Sequence, residues 1–187
     1  MQTCTILTND PSMRAWGWAI LTCKGKVLAS GCIKTEPGHK KKRIRVSDDT
    51  TSRAGEITRK LIELVKKYNV RLILSEAPHG SQNAKAAVMI GLVTGITVAL
   101  SECLNIPIEY YSEQDAKKAV LNKRAATKDE MVHAIEKLYD TVCWKNAKYK
   151  DEAIADALAV HYVASQLSPL VKMLKNETAS QDKSNRL

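Results

Sequence analysis

The sequence lacks the paired cysteines of a zinc site or of a disulfide framework. Its five cysteines are odd in number, lie far apart and form no C-x-x-C pair, whereas both kinds of site depend on characteristic spacings. We therefore expect reduced, mostly buried thiols. The cysteines stand at positions 4, 23, 32, 103 and 143.

Segments that direct a chain to or across a membrane are also missing. We find no signal peptide and no apolar run of about 18 residues without polar interruption, so neither secretion nor membrane insertion is supported. We expect an intracellular protein, in the cytoplasm or nucleoid, or in the host cytoplasm if the chain is viral. Glycine-rich phosphate loops are absent as well, which argues against an actin-like ATPase, another fold with an aspartate on its first strand.

Acidic residues are outnumbered by basic ones. The chain has 29 Lys and Arg against 20 Asp and Glu, a formal net charge of +9. This balance favours a polyanionic partner such as nucleic acid, although a solvated basic surface explains the charge equally well. The 187 residues, 44% of them hydrophobic, suffice for one domain with a sizeable core. We assign residues 1–168 to this domain and expect the polar segment 169–187 to be a disordered tail.

Hydrophobic periodicity predicts an α/β fold with a five-stranded mixed sheet flanked by helices. Three antiparallel strands open the chain, and a strand–helix–strand unit from Val70 to Tyr111 implies a right-handed parallel crossover. The basic segment 38–49 reads as a surface loop, whose Lys41 and Arg43 could contact phosphate. The predicted strands are about 4–10, 16–21, 27–34, 70–75 and 106–111, and the helices are about 53–69, 82–104, 113–121, 127–139 and 151–167.

Two acidic residues end predicted buried strands. Asp10 ends the first strand and is biased towards an extended conformation by Pro11, and Glu76 ends the fourth strand shortly before Pro78. A metal or substrate could reach side chains at such positions. Taken alone, Asp10 is better explained as an Asx-type turn residue that satisfies backbone donors.

Two more acids lie on the last predicted helix. Glu152 and Asp156 are four residues apart, so their carboxylates share one face of the helix. Helix-dipole compensation explains acids in the first turn, but Asp156 lies in the apolar run AIADALAVHYVA, where a charge is costly unless it is paired or bound to a cation. With Asp10 and Glu76 it would form a carboxylate cluster. Such a cluster repels itself unless a hard divalent cation such as Mg²⁺ or Mn²⁺ neutralises it.

Five segments stand in an order and spacing typical of one protein family. They are NDPS-x4-GWAI at Asp10, SGCIKT at 30–35, LSE at Glu76 followed by QNAKAA, AKKAVLNKRAATKDEMVHAI from Ala116, and ADALA at 155–159. Together they resemble the RuvC-type Holliday-junction resolvases of the ribonuclease-H-like superfamily over most of the chain. The resemblance implies a Mg²⁺-dependent DNA endonuclease that resolves four-way junctions by paired symmetric nicks. It also implies two Mg²⁺ ions (or Mn²⁺) per active site and a homodimer acting on branched DNA.

The resemblance also assigns roles to individual residues. Asp10, Glu76 and Asp156 match the family's metal-binding positions, and Lys128 matches a basic residue that stabilises the scissile phosphate. Lys117 matches a second residue of this kind, and it lies in a basic cluster. The expected DNA contacts are Lys117, Lys118, Arg124, His79, Lys41 and Arg43.

The chain departs from the family pattern near its last aspartate. The family commonly has an acid three residues before it, where this chain has Ala153. Glu152 is long enough to reach the same face, so we expect it to be the fourth ligand, with Asp151 less well placed. His79 stands where relatives often carry an aromatic wedge, and both base stacking and an ordinary loop position remain open for it.

Three alternatives share much of this pattern. A flap or branched-DNA nuclease and an RNA–DNA hybrid nuclease would keep the fold and the metals, whereas a junction-binding protein without cleavage would account for Ala153. The apolar helix 84–104 is the expected dimer interface, with a purely intramolecular core helix as its rival.

Overall fold

A computed structural model describes residues 4–38, 41 and 43–184. Its centre is one five-stranded sheet in the order β3-β2-β1-β4-β5. β1 pairs antiparallel with β2 and parallel with β4, β2 pairs antiparallel with β3, and β4 pairs parallel with β5. The predicted mixed sheet is thereby confirmed. The strands are β1 (Thr5–Asp10), β2 (Ala15–Thr22), β3 (Val27–Lys34), β4 (Val70–Glu76) and β5 (Ile108–Tyr111).

Six helices are described, and they cover both faces of the sheet. The side chains of successive strand residues point to opposite faces, and this alternation divides the core. Leu7 and Ile73 pack on one face with residues of α1 and α2, and Ile6 and Leu72 pack on the other with residues of α5 and α6. The helices are α1 (Val46–Tyr68), α2 (Ala84–Leu104), α3 (Glu113–Leu121), α4 (Lys128–Leu138), α5 (Lys148–Leu167) and α6 (Pro169–Ser184).

The start of α1 differs from the prediction. This helix begins at Val46, inside the segment expected to be a loop. Asp49 is buried, and its carboxylate accepts a hydrogen bond from the Gly38 N–H at 3.1 Å, which connects the helix to the end of the β3 segment. Residues 39, 40 and 42 of the predicted loop lie outside the described residues.

The C-terminal segment also differs from the expected disordered tail. Residues 169–184 form α6, and Val171 and Leu174 on this helix are buried against Ile6, Leu72 and Leu74 of the sheet. The mostly polar composition of this segment predicted disorder. Two buried apolar residues on one side of the helix are nevertheless enough to hold it on the sheet.

The prediction of reduced, mostly buried thiols was wrong. Cys4 and Cys23 form a disulfide with a Cα–Cα distance of 5.7 Å. They continue the β1–β2 register, in which Thr5 pairs with Thr22, and the Cys23 N–H donates to the Cys4 carbonyl at 3.1 Å. Cys103 and Cys143 are exposed and Cys32 is half-buried.

One helix, α2, has the length and composition of a membrane span. Its 21 residues reach a mean hydropathy of 1.9 in the best window, and 28% of that window is buried. One such helix is weak evidence for a membrane, because core helices of soluble proteins pass the same test. Here Val93, Ile96 and Leu100 pack into the core beside the sheet.

Candidate active site

Asp10 stands at the C-terminal end of β1, where the hairpin to β2 begins. The preceding Asn9 is fully buried and accepts a hydrogen bond from the Trp16 indole N–H at 3.1 Å. Within the turn, Arg53 donates to the Met13 carbonyl at 2.8 Å. These contacts fix both sides of the turn, so the position of the Asp10 carboxylate is set by buried partners.

Glu76 ends β4, the strand that runs parallel to β1. Asn9 and Ser75 are register partners, so the residues that follow them, Asp10 and Glu76, lie at the same edge of the sheet. The Ala77 N–H donates to the Tyr111 carbonyl at 2.8 Å. The hydrogen bonding between β4 and β5 therefore continues one residue beyond Glu76 and fixes the backbone of Glu76.

Asp156 comes from α5, which packs across β1 and β2. The Thr8 hydroxyl donates to the carbonyl of the next residue, Ala157, at 2.6 Å. Asp156 is 8% exposed, and its Oδ2 accepts a hydrogen bond from Lys128 Nζ. We expected the buried charge of Asp156 to be paired or bound to a cation, and the structure pairs it with the ammonium group of Lys128.

The position of Lys128 follows from a capping box at the start of α4. The Thr127 side chain accepts from the Glu130 N–H at 3.3 Å, and the Glu130 carboxylate accepts from the Thr127 N–H at 2.8 Å. This reciprocal pair fixes the first turn of a helix. Lys128 is the first residue of α4, and its side chain reaches α5 from there.

Asp10, Glu76, Asp156 and Lys128 line one cavity of about 730 Å³. Burial, reinforced by the charges of Glu76 and Asp156, raises the pKa of Asp10 well above its ordinary value. Burial and then the charge of Asp156 raise the pKa of Glu76 to about 7. Burial also raises the pKa of Asp156, although Lys128 opposes this change. Carboxylates that repel one another in a buried site favour the binding of a cation.

The donor set fits a hard divalent cation, because carboxylate oxygens are the ligands that Mg²⁺ and Mn²⁺ prefer. The arrangement is nevertheless not a closed chelate. Among the described residues, no three His, Cys, Asp or Glu side chains are grouped so that they could hold an ion as they stand. The ammonium of Lys128 contacts Asp156 instead, so a cation would compete with this group.

The predicted fourth ligand, Glu152, does not line the cavity. The neighbouring Asp151 is occupied, because its carboxylate accepts hydrogen bonds from the Lys145 N–H at 2.7 Å and the Ala147 N–H at 3.0 Å. Ala153 is buried against β2, where a Cβ on Gly17 would lie 1.9 Å from the Ala153 carbonyl oxygen. The first two turns of α5 therefore serve packing and loop closure.

The predicted DNA contacts are divided between the cavity and the surrounding surface. His79 lines the cavity, and Lys117 lies near it, paired with Glu113 at 2.6 Å. The other four are exposed at separate surface positions: Lys41, Arg43, Lys118 and Arg124.

Sequence reasoning missed several charged residues of the cavity. Glu113, the first residue of α3, lines it, as do Arg14, Arg53 and Lys85. Glu113 follows the end of β5 by two residues, so the strand-end pattern that drew attention to Asp10 and Glu76 would have found it. The three basic residues carried no such signal.

Comparison with known proteins identifies the family. The family model "Crossover junction endodeoxyribonuclease RuvC" matches residues 6–163. A crossover junction endodeoxyribonuclease RuvC of Shewanella pealeana is 29% identical over 165 residues, which cover 86% of this chain and 88% of the relative. The corresponding protein of Shewanella frigidimarina is 29% identical over 136 residues, 71% of this chain and 73% of the relative.

Solved structures show the same fold. Thermus thermophilus RuvC in complex with a Holliday junction substrate matches with a TM-score of 0.68 at 17% identity, over 87% of this chain and 93% of that one. A yeast mitochondrial Holliday junction resolvase matches with a TM-score of 0.59 at 15% identity, over 95% of this chain and 84% of that one. The sheet of this chain is therefore that of a ribonuclease-H-like fold. By its match over residues 6–163, the chain belongs to the RuvC family of crossover junction endodeoxyribonucleases, which are metal-dependent nucleases.

Proposed function

We propose that this protein resolves four-way DNA junctions inside the cell by paired symmetric nicks. The observation that carries the proposal is the convergence of Asp10, Glu76 and Asp156 on the cavity that Lys128 also lines. These carboxylates come from two strand ends and a helix far apart in the sequence. Family membership indicates the type of reaction. The convergence of the three carboxylates indicates where in the molecule the reaction would take place.

We propose that Asp10, Glu76 and Asp156 hold two Mg²⁺ ions in each active site. When bound, such ions supply an activated water and stabilise the leaving oxygen of the phosphodiester. The chain's own contribution is to keep three carboxylates together against their repulsion. Buried hydrogen bonds do this at Asn9 and Ala157, each beside one of the acids.

Lys128 would stabilise the negative charge that develops on the phosphate during cleavage. Its ammonium already lies beside Asp156 in the cavity, and its side chain is 46% exposed, so it can turn towards a bound phosphate. A fixed positive charge that meets the transition state more strongly than the substrate accelerates the reaction.

DNA would reach the cavity across a basic surface. Arg14 and Lys85 line the cavity together with His79, and their side chains offer cations and a ring to phosphates and bases. We propose that the exposed residues farther out guide the arms of the junction. They are Lys41, Arg43, Lys118 and Arg124, with Lys117 beside the cavity.

A homodimer would match the two-fold symmetry of a four-way junction. The outer side of α2 supports this proposal, because Val88 and Val98 are 64% and 45% exposed. Between them, Gly91 and Gly95 have no atom within 4 Å of where a Cβ would stand, apart from their chain neighbours and the backbone of the same helix. A second copy could therefore approach this helix closely.

Cleavage of three labelled substrates under matched conditions tests the proposed function. We expect Mg²⁺-dependent, symmetric nicks in a four-way junction, weaker cleavage of a flap and little cleavage of an RNA–DNA hybrid. Asp10→Asn should abolish cleavage while junction binding persists. Preferred cleavage of flaps or hybrids, or binding without nicks by the unaltered protein, would contradict the proposal.

A further inference from the structure

Glu113 is the fourth carboxylate of the cavity. It lines the cavity with Asp10, Glu76 and Asp156, and its side chain is 44% exposed, so solvent and ions can reach it. Its charge adds to the rise in pKa of each of the other three acids. Glu113 therefore acts on the whole cluster.

The local structure holds Glu113 next to Glu76. Tyr111 of β5 is the register partner of Glu76, and its carbonyl accepts the Ala77 N–H. Ser112 then caps α3, its side chain accepting from the Asp115 N–H at 3.1 Å. A strand end and a helix cap thus fix both sides of Glu113.

Lys117 forms an ion pair with Glu113. Its ammonium lies 2.6 Å from a carboxylate oxygen of Glu113, and this hydrogen bond is the main cause of the lowered pKa of Glu113. Burial and mutual repulsion have the opposite effect on the pKa values of the other three acids. Lys117 is therefore the partner that a cation would have to displace from Glu113.

We propose that Glu113 is a cation ligand and supplies the fourth carboxylate of the active site from α3. The inference rests on the proposed function and adds one residue to its machinery. Three carboxylates leave two divalent cations with an excess positive charge, and a fourth balances the two ions. When Glu113 turns to a cation, Lys117 is released and can contact the DNA phosphate.

Titration of the DNA-free protein with Mn²⁺, read by calorimetry and by the electron paramagnetic resonance of unbound Mn²⁺, tests the proposal. We expect Glu113→Gln to raise the Kd of the weaker ion by at least about 10-fold, because loss of even an outer-shell partner of a metal ligand costs about 10–100-fold in affinity. Glu63→Gln, on the exposed side of α1, is the charge-matched control and should bind Mn²⁺ as the unaltered protein does.

Two further variants separate this proposal from its rivals. Lys117→Met should not weaken Mn²⁺ binding, because it frees Glu113; equal weakening by both variants would show that the ion pair matters rather than the ligand. Glu152→Gln should bind as the control does. Unchanged Mn²⁺ binding by Glu113→Gln, or weakened binding by Glu152→Gln, would overturn the proposal.

The same titration distinguishes failure of this proposal from failure of the proposed function. Asp10→Asn should lose most Mn²⁺ binding whether or not Glu113 is a ligand. If Asp10→Asn binds Mn²⁺ normally, the assignment of the metal site to this cavity is wrong, and the proposed function fails with it. If Asp10→Asn loses binding and Glu113→Gln does not, only the role of Glu113 is wrong.

Discussion

Lys128 Nζ donates a hydrogen bond to Asp156 Oδ2 inside the cavity. The pair joins the first residue of α4 to the third turn of α5. Burial opposes the charge on Lys128, yet attraction to Asp156 raises the pKa of its ammonium above the ordinary value. The lysine therefore favours its charged form beside the carboxylate that we propose as a cation ligand.

Replacing Lys128 should separate cation binding from cleavage. In Lys128→Met the cation no longer competes with the ammonium, so we expect Mn²⁺ to bind about fivefold more tightly, equivalent to roughly 1 kcal/mol. Junction cleavage at saturating Mg²⁺ should instead fall by about 100-fold, because the charge that stabilises the transition state is lost. Lys60→Met, which removes a lysine of equal exposure paired with Glu56 on α1, is the control. Parallel loss of cation binding and cleavage would contradict this view.

Metal-free stability should fall as the pH rises from about 4.5 to about 7. Glu76 has an ordinary pKa of 4.5, and in the folded protein its pKa is about 7. Between these values the folded protein holds a proton that the unfolded chain has released, so rising pH favours unfolding. We expect a loss on the order of 1–3 kcal/mol in chemical denaturation with EDTA present. Glu76→Gln should remove much of the slope and Glu63→Gln should not. A slope that is the same in Glu76→Gln would contradict the assignment.

Gly17 should not tolerate a side chain. A Cβ at this position would lie 1.9 Å from the backbone oxygen of Ala153, and neither β2 nor α5 can move without disturbing the core. We expect Gly17→Ala to lower the free energy of unfolding by about 3 kcal/mol or more. Gly80→Ala, where a Cβ meets no atom within 4 Å, should change it by less than about 0.5 kcal/mol. Similar stability of the two variants would show that α5 lies farther from β2.

Removal of α6 should destabilise the domain. A chain that ends at Ser168 loses Val171 and Leu174, which are 0% and 4% exposed, and we expect a cost of about 3–5 kcal/mol. A chain that ends at Lys175 keeps both anchors and should lose much less. Thermal unfolding of the two truncated proteins measures the difference. Equal stability of the two would mean that this helix is dispensable to the core.

The outer side of α2 should control the oligomeric state. Val98→Glu places a charge at a residue that is 45% exposed, and we expect sedimentation at micromolar concentration to show monomers in place of dimers. Leu28→Glu changes a residue of similar exposure, 42%, on β3 and should leave the dimer intact. A monomeric unaltered protein, or a dimeric Val98→Glu, would contradict the proposed interface.

The strand and helix pattern predicted the sheet because its signals are local. Continuous apolar strands that stop at Asp10 and Glu76, and the capping box at Thr127, each depend on a few adjacent residues. Prediction from the sequence failed for elements that depend on contacts between segments far apart in the chain. The anchors of α6 and the early start of α1 depend on tertiary packing, which periodicity within one segment does not report.

The active-site residues likewise divide into those that local sequence signals predicted and those that depend on tertiary packing. Asp10, Glu76, Asp156 and Lys128 were predicted from strand ends, a buried charge and a family resemblance, and they line one cavity. Glu152 was chosen for its place on the helix, but the second turn of α5 packs on Gly17 through Ala153. The Cys4–Cys23 pair could have been found from the predicted hairpin, because both residues continue its register. The cysteine spacing alone concealed it.

The bond between Thr8 and Ala157 joins residues 149 positions apart. During synthesis, the opening strands emerge from the ribosome long before α5 and can pair without it. A nascent or prematurely terminated chain would then have three of the four acids and a basic surface, but it would lack Asp156. With Asp156 in its proposed role as a cation ligand, such a product could be drawn to DNA without being able to cut it, and cleavage would have to await the release of α5.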